Sequence, residues 1–197
     1  MKRITMRRLR AVVLYSLLSA VTASLLLAKA GQAQALPSPA DPARQAAMDA
    51  WQAAATAGAQ HRQLAEHFVG QWQATLNATG EAILGGRQIR TVYTGSMMGA
   101  PFEGISLSGY DNVSRQYTSV WQDNMSTGSY LTEGDYDPAS RSYQYRGQWP
   151  DPLQAGTLVQ VRETLRVVDA DHHVLDMHET RAGKEVHVMR IEFTRIR

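Results

Sequence analysis

Two periodicities divide the chain. Between Arg44 and Gly58, Ala47, Met48, Trp51 and Ala54 or Ala55 recur at helical spacing along one stripe, the pattern by which a surface helix lies against its neighbours. Asp41 stands where an N-cap belongs, Pro42 at the first helical position, and Gly58 where the helix stops. A second short helix is expected near Gln60 to His67, presenting Leu64 and Phe68. The Trp, Met and Leu contacts of this lead predict that it docks rather than trails.

From Val69 onward apolar and polar residues alternate with period 2, the mark of strands with one buried face. Turn signals interrupt the alternation at Gly85, Gly95, Asp111, Asn124, Asp137, Pro150, Asp169 and Arg181. Eight turns separate about nine strands, and nothing helical lies between them. The pattern predicts a mainly β fold: an antiparallel up-and-down barrel of about nine strands, preceded by one or two short helices, with closure removing the sheet edges. For the last hairpin, a three-residue loop with Gly183 in the left-handed position places Leu175 and Met177 on the same side as His187, Met189, Ile191 and Phe193. That register turns His178 away from His187.

The first ten residues carry five positive charges and no acid, and an apolar run follows from Ala11 to Ala28. This is a signal-peptide layout, with an Ala-x-Ala site at Ala33-Gln34-Ala35. The expected organisation is a signal peptide over 1–35, a Pro-rich lead and Ala-rich helical segment over 36–66, and a barrel domain over 67–197. Without residues 1–35 the chain has 14 basic and 18 acidic residues, a net charge of −4, so the basic pI of about 9.0 belongs to the export segment. No basic footprint for nucleic acid is left. With no cysteine, stability comes from burial without disulfides. The layout implies a periplasmic or secreted protein, with membrane contact only through an uncleaved signal segment.

Several segments in order resemble the bacterial family called domain of unknown function 1579: AAATAGAQHRQLAEHFVGQW, ILGGR, GAPFEGISLSGYDN, YTSVWQDNMSTG, EGDYD, DP, VRE and KEVHVMRIEFTR. The resemblance runs from about Trp51 to Arg195. It departs at Ala57, where the family has Pro, and between Trp72 and Gly85, where this chain is shorter. It implies a lipocalin-like barrel and motif positions at Asp111, Asp123, Ser126, Thr127 and Arg162, with no reaction attached. Gly70-Gln71-Trp72 is similar to the lipocalin Gly-x-Trp, in which a Trp plugs one barrel end beneath an Arg of the final strand. Arg195 is placed to be that Arg.

The candidate chemistry is a small set of charges on apolar faces. Glu163 shares a strand face with Val159, Val161, Leu165 and Val167, and Asp123 shares one with Tyr117, Ser119 and Trp121. A carboxylate there either pairs with Arg195, Arg162 or backbone amides, or has its pKa raised and is available to a ligand. Ser126 and Thr127 lie in a turn without a nucleophile elbow or a Ser-x-x-Lys, so local capping accounts for them. The six histidines lack metal-site spacing. Tyr143, Tyr145 and Trp149 share a face, suited to filling a barrel or walling a cavity.

These features fit an exported protein that binds a small apolar or amphipathic molecule in a barrel cavity. The ligand-binding candidates are Asp123, Glu163, Arg195, Tyr145 and Trp121; Trp72 and Arg195 are the structural pair. Neither a metal nor a cofactor is expected. The alternatives are a hydrolase or isomerase using Glu163 or Asp123 as general base, and an envelope protein docking a partner through its N-terminal helix.

Overall fold

The computed structural model describes residues 42–197. The expected signal peptide, its cleavage site, the Pro-rich lead and the Asp41 cap lie outside the described residues. Helices α1 (Pro42–Ala55) and α2 (Ala59–Phe68) precede ten strands. These are β1 (Gly70–Gln73), β2 (Asn77–Ile83), β3 (Gln88–Met97), β4 (Ala100–Asp111), β5 (Gln116–Asp123), β6 (Tyr130–Asp137), β7 (Ser142–Pro150), β8 (Leu158–Val167), β9 (His172–Arg181) and β10 (Lys184–Ile196).

Each strand pairs antiparallel with its neighbour in sequence, and β1 pairs with β10, so the sheet is a closed up-and-down barrel. Closure leaves no edge strand unpaired. The eight turns marked in the sequence all connect strands. The tenth strand arises because the segment before Gly85 is itself a hairpin: β1 reverses at Ala74–Leu76, where the Ala74 amide donates to the Leu76 carbonyl at 2.9 Å and Leu76 is buried.

The last hairpin differs from expectation in an instructive way. Arg181 pairs with Lys184, leaving a two-residue turn in which Ala182 and Gly183 have φ of 49° and 75°, the left-handed pair of a type I′ turn. The extra residue sits instead in a bulge between His187 and Met189. Below the bulge His187 lies opposite His178; above it Met189 lies opposite Met177 and Ile191 opposite Leu175. A one-residue bulge exchanges the two faces. The inward row of Leu175, Met177, Met189, Ile191 and Phe193 is therefore kept, but His187 does not join it. It stands on the outer face with its ring 4.9 Å from that of His178 and its Nε2 3.0 Å from Asp176 Oδ1.

Helix α2 closes one end of the barrel. Leu64 packs there with Ile89, Tyr117, Tyr143, Tyr145 and Val167, all buried. Beside them Trp72 clusters with Ala78 and Phe193. The Trp72 indole donates to the Phe68 carbonyl at 3.2 Å, and the Arg195 guanidinium lies over its ring, 4.0 Å from the centroid. Arg195 also donates to the carbonyls of Val69 at 2.7 Å and Ala170 at 3.0 Å. Gly70 permits this closure: its φ is +130°, and a Cβ there would run into the Arg195 guanidinium.

Helix α1 is held by its last turn rather than by its apolar stripe. Asn112 Nδ2 donates to the carbonyls of Ala53, Ala54 and Thr56 at 3.2, 3.0 and 2.8 Å, and Arg87 Nε to that of Ala55 at 2.6 Å. These are carbonyls that a helix end leaves unpaired. Met48 and Trp51 stay 58% and 76% exposed, so the stripe itself does not dock.

Candidate functional site

Cross-strand partners in an antiparallel sheet share a face, so the register identifies what Glu163 meets. On β8 it lies between Tyr145 of β7 and Met177 of β9. Val159, Val161 and Val167 on the same face are buried, which fixes Glu163 inward. At this level several inward side chains are only partly buried. Glu163, Leu165, Leu175, Met177, Met189, Ile191, Ser119, Trp121 and Tyr93 all point inward yet keep partial contact with solvent. Towards the α2 end Tyr143, Tyr117 and Val167 are sealed, and on β8 beyond Glu163 Val161 and Val159 are buried again. Glu163 and these inward side chains are thus less completely sealed than the levels above and below them.

The carboxylate of Glu163 forms no hydrogen bond or ion pair with any described residue. The arginines that could have neutralised it are engaged elsewhere. Arg195 is at the closed end with Trp72 and with Asp171 at 3.5 Å. Arg162 is on the outer face, where Nε and Nη2 grip Glu185 at 2.7 and 2.9 Å. Arg181 bridges Asp151 and Glu179 at 2.8 and 2.6 Å. Enclosure without a counter-charge disfavours the ionised form, and burial pushes Glu163 up to about 7. The same burial, with Glu163 nearby, raises the phenols of Tyr93 and Tyr145, which stay protonated.

An aromatic wall continues the site. Trp121 packs against Tyr93 with ring centroids 5.0 Å apart and stacks on Phe102 at 6.3 Å; Tyr93 in turn meets Phe193 at 6.3 Å. Gly104, opposite Asp123, makes room for the indole: a Cβ there would come within 2.6 Å of Trp121. Asp123 is committed. Its Oδ2 accepts from Trp121 Nε1 at 2.6 Å and its Oδ1 from the Met125 amide at 2.9 Å, so it orients the indole and caps the turn.

The structure therefore brings Glu163 and Tyr145 together as cross-strand neighbours and joins Trp121 to Asp123, while Arg195 sits with Trp72 at the closed end. Of the other motif positions, Asp111 caps its turn through the Val113 amide and the Ser114 hydroxyl, both at 2.8 Å. Ser126 Oγ is buried without a partner among the described residues. So is Nε2 of His173, whose ring lies 4.2 Å from that of Trp72 and whose pKa burial lowers to about 4. Among the described residues no three His, Asp or Glu side chains are arranged to hold a metal ion. Two open depressions flank α2, one bordered by Gln63, Tyr110 and Asp135 and the other by His61, Arg87 and Asn112; neither reaches Glu163.

Sequence reasoning missed Tyr93. The alternation Ile89, Thr91, Tyr93 in QIRTVYTG carries the signal, since Ile89 is in the core and Tyr93 shares its face.

A family model described as a protein of unknown function (DUF1579) matches residues 56–195. The chain belongs to this family. The match begins just after α1 and takes in α2 and the barrel, so both Glu163 and the Trp72–Arg195 closure fall inside it, whereas α1 precedes it. No curated protein matches the chain.

Proposed function

We propose that this is an exported binding protein, periplasmic or secreted, that holds a small amphipathic molecule inside the barrel with Glu163 at its polar end. One observation carries the reading: a largely enclosed carboxylate with no partner among the described residues, turned into a barrel whose inward side chains Leu175, Met177, Ile191, Tyr93 and Trp121 are likewise only partly buried. A core evolved only for stability gains nothing from such a group, because desolvating a charge without a partner costs several kcal/mol or forces protonation, about 1.4 kcal/mol for each pH unit of displacement. Apolar walls with a few placed polar groups are the usual make-up of a small-molecule site. Titration with N-phenyl-1-naphthylamine, a neutral fluorophore that brightens in apolar surroundings, tests the reading. Saturable uptake at one site per chain, competed by lipid extracted from the cell envelope, is expected; absence of uptake contradicts it.

A second reading has its own support. A carboxyl group held near neutrality is suited to general acid–base work, so Glu163 fits a hydrolase or isomerase acting on the bound molecule. Conversion of an envelope-derived ligand by the wild type, abolished in Glu163→Gln, would establish it; return of the ligand unchanged would exclude it.

A further inference from the structure

We propose that the molecule held in the barrel carries an organic cation, such as a protonated amine on an apolar body, seated between the Glu163 carboxylate and the wall of Tyr93, Trp121 and Phe193. The proposal rests on the reading of the barrel interior as a ligand site and names the chemistry of its polar end.

Two observations converge on a positive ligand. First, the carboxylate is left without a counter-charge although Arg162 adjoins it on β8, Arg181 lies on β9 and Arg195 on β10, each satisfied by Glu185, by Asp151 and Glu179, or by Asp171 and the Trp72 ring. An incoming cation supplies the missing partner, and a buried charge pair forms only where the partner arrives with good geometry. Second, Tyr93, which feels the charge of Glu163, belongs to an aromatic wall in which its ring lies 5.0 Å from that of Trp121 and 6.3 Å from that of Phe193. The faces of such rings attract ammonium groups, more strongly when water is excluded. By the same lack of a basic partner, an acidic head group would meet a like charge with nothing to offset it.

The groups that face Glu163 also predict the pH response. From β7 it meets Tyr145, from β9 Met177 and beyond it Glu179, which is tied to Arg181 at 2.6 Å, and from β3 Tyr93. Both phenols are held above their ordinary range. His173, at the closed end, is already neutral above about 4. Glu163 changes charge near neutrality, from a value of about 7. A cation needs the ionised form, so its affinity rises with pH through that value and levels off above it.

The test is competition against bound N-phenyl-1-naphthylamine by three probes of equal chain length, dodecylamine, dodecanol and dodecanoate, below their aggregation concentrations. At pH 8 the amine is expected to bind at least about tenfold more tightly than the alcohol, and dodecanoate most weakly. Moving the wild type to pH 6 should weaken the amine by about tenfold and leave the alcohol unchanged, because an alkylamine stays protonated throughout this range. In Glu163→Gln the ratio of amine to alcohol affinity should fall towards unity. The pH comparison needs only the wild-type protein, so it decides the matter even if the variant fails to fold. An amine that binds no better than the alcohol, or a preference for dodecanoate, overturns the cation while leaving the ligand site standing. Failure of the wild type to take up the fluorophore removes the ligand site and the cation with it.

Discussion

Replacing Glu163 by Gln should stabilise the unliganded protein at alkaline pH, the reverse of the usual result of removing a polar side chain from an interior. Burial holds this carboxyl at about 7 against an ordinary 4.5, so the folded chain binds the proton more tightly than the unfolded one. Its contribution is fully present below the unfolded value and is lost as pH rises through the folded value. At about 1.4 kcal/mol for each tenfold change, the loss amounts to about 3 kcal/mol by pH 8. Gln has the shape of the protonated acid and no charge, so it escapes that penalty. Wild type and variant should match near pH 4, and the variant should lead by about 3 kcal/mol at pH 8, or roughly 6–12 °C in Tm for a chain of this size. His173 works in the opposite sense: burial depresses it to about 4 from an ordinary 6.5, so its contribution is lost as pH falls from 6.5 towards 4. In the wild type the two trends offset each other in mildly acidic solution. In the variant the His173 trend is unopposed and is joined by His61 and His67, which burial also lowers, so stability should climb with pH and then flatten. Urea unfolding followed by tryptophan fluorescence at several pH values measures both curves, with an unchanged slope as the check that only stability has moved. A variant less stable than wild type at pH 8 would mean that Glu163 is ion-paired in the folded protein, and the argument for an uncompensated carboxylate would fail.

Trp72→Ala should cost about 3–5 kcal/mol, since it empties a site that is 3% exposed and strips the ring from under Arg195; a Tm equal to wild type would show that this end of the barrel closes without it. Asn112→Ala should remove the bonds to the carbonyls of Ala53, Ala54 and Thr56, costing about 1 kcal/mol and loosening α1 without disturbing the strands. Hydrogen exchange would report this as faster exchange in α1 alone, and unchanged protection there would refute the anchoring role.

The placement of Glu163 was legible in the sequence because its neighbours on the strand face are aliphatic, and turning it outward would have exposed Val159, Val161, Leu165 and Val167 together. The Trp72–Arg195 pairing was legible from the Gly-x-Trp pattern and the apolar row that ends in Arg195. The β1–β2 hairpin was not, because Ala74–Leu76 contains none of the residues that usually mark a turn, and what holds it is burial of Leu76. The bulge at His187 was equally hidden. Its position reflects a compromise between the two-residue turn that Ala182 and Gly183 adopt and the inward phase that Met189, Ile191 and Phe193 require. Whether Glu163 would find a counter-charge depended on where arginines distant in sequence come to rest. Arg162, its immediate neighbour, faces the other side of the sheet, as the alternation of strand side chains dictates.

A molecule held in the barrel with its polar end at Glu163 should travel with the purified protein. Native mass spectrometry of the wild-type protein and of Glu163→Gln, each purified without detergent from the cell that makes it, provides the test. The wild type is expected to carry a non-covalent adduct that is released by acid, contains a basic nitrogen, and is depleted or absent on the variant. Wild-type protein that carries no adduct and acquires none from an envelope extract, or an adduct retained equally by the variant, would contradict it.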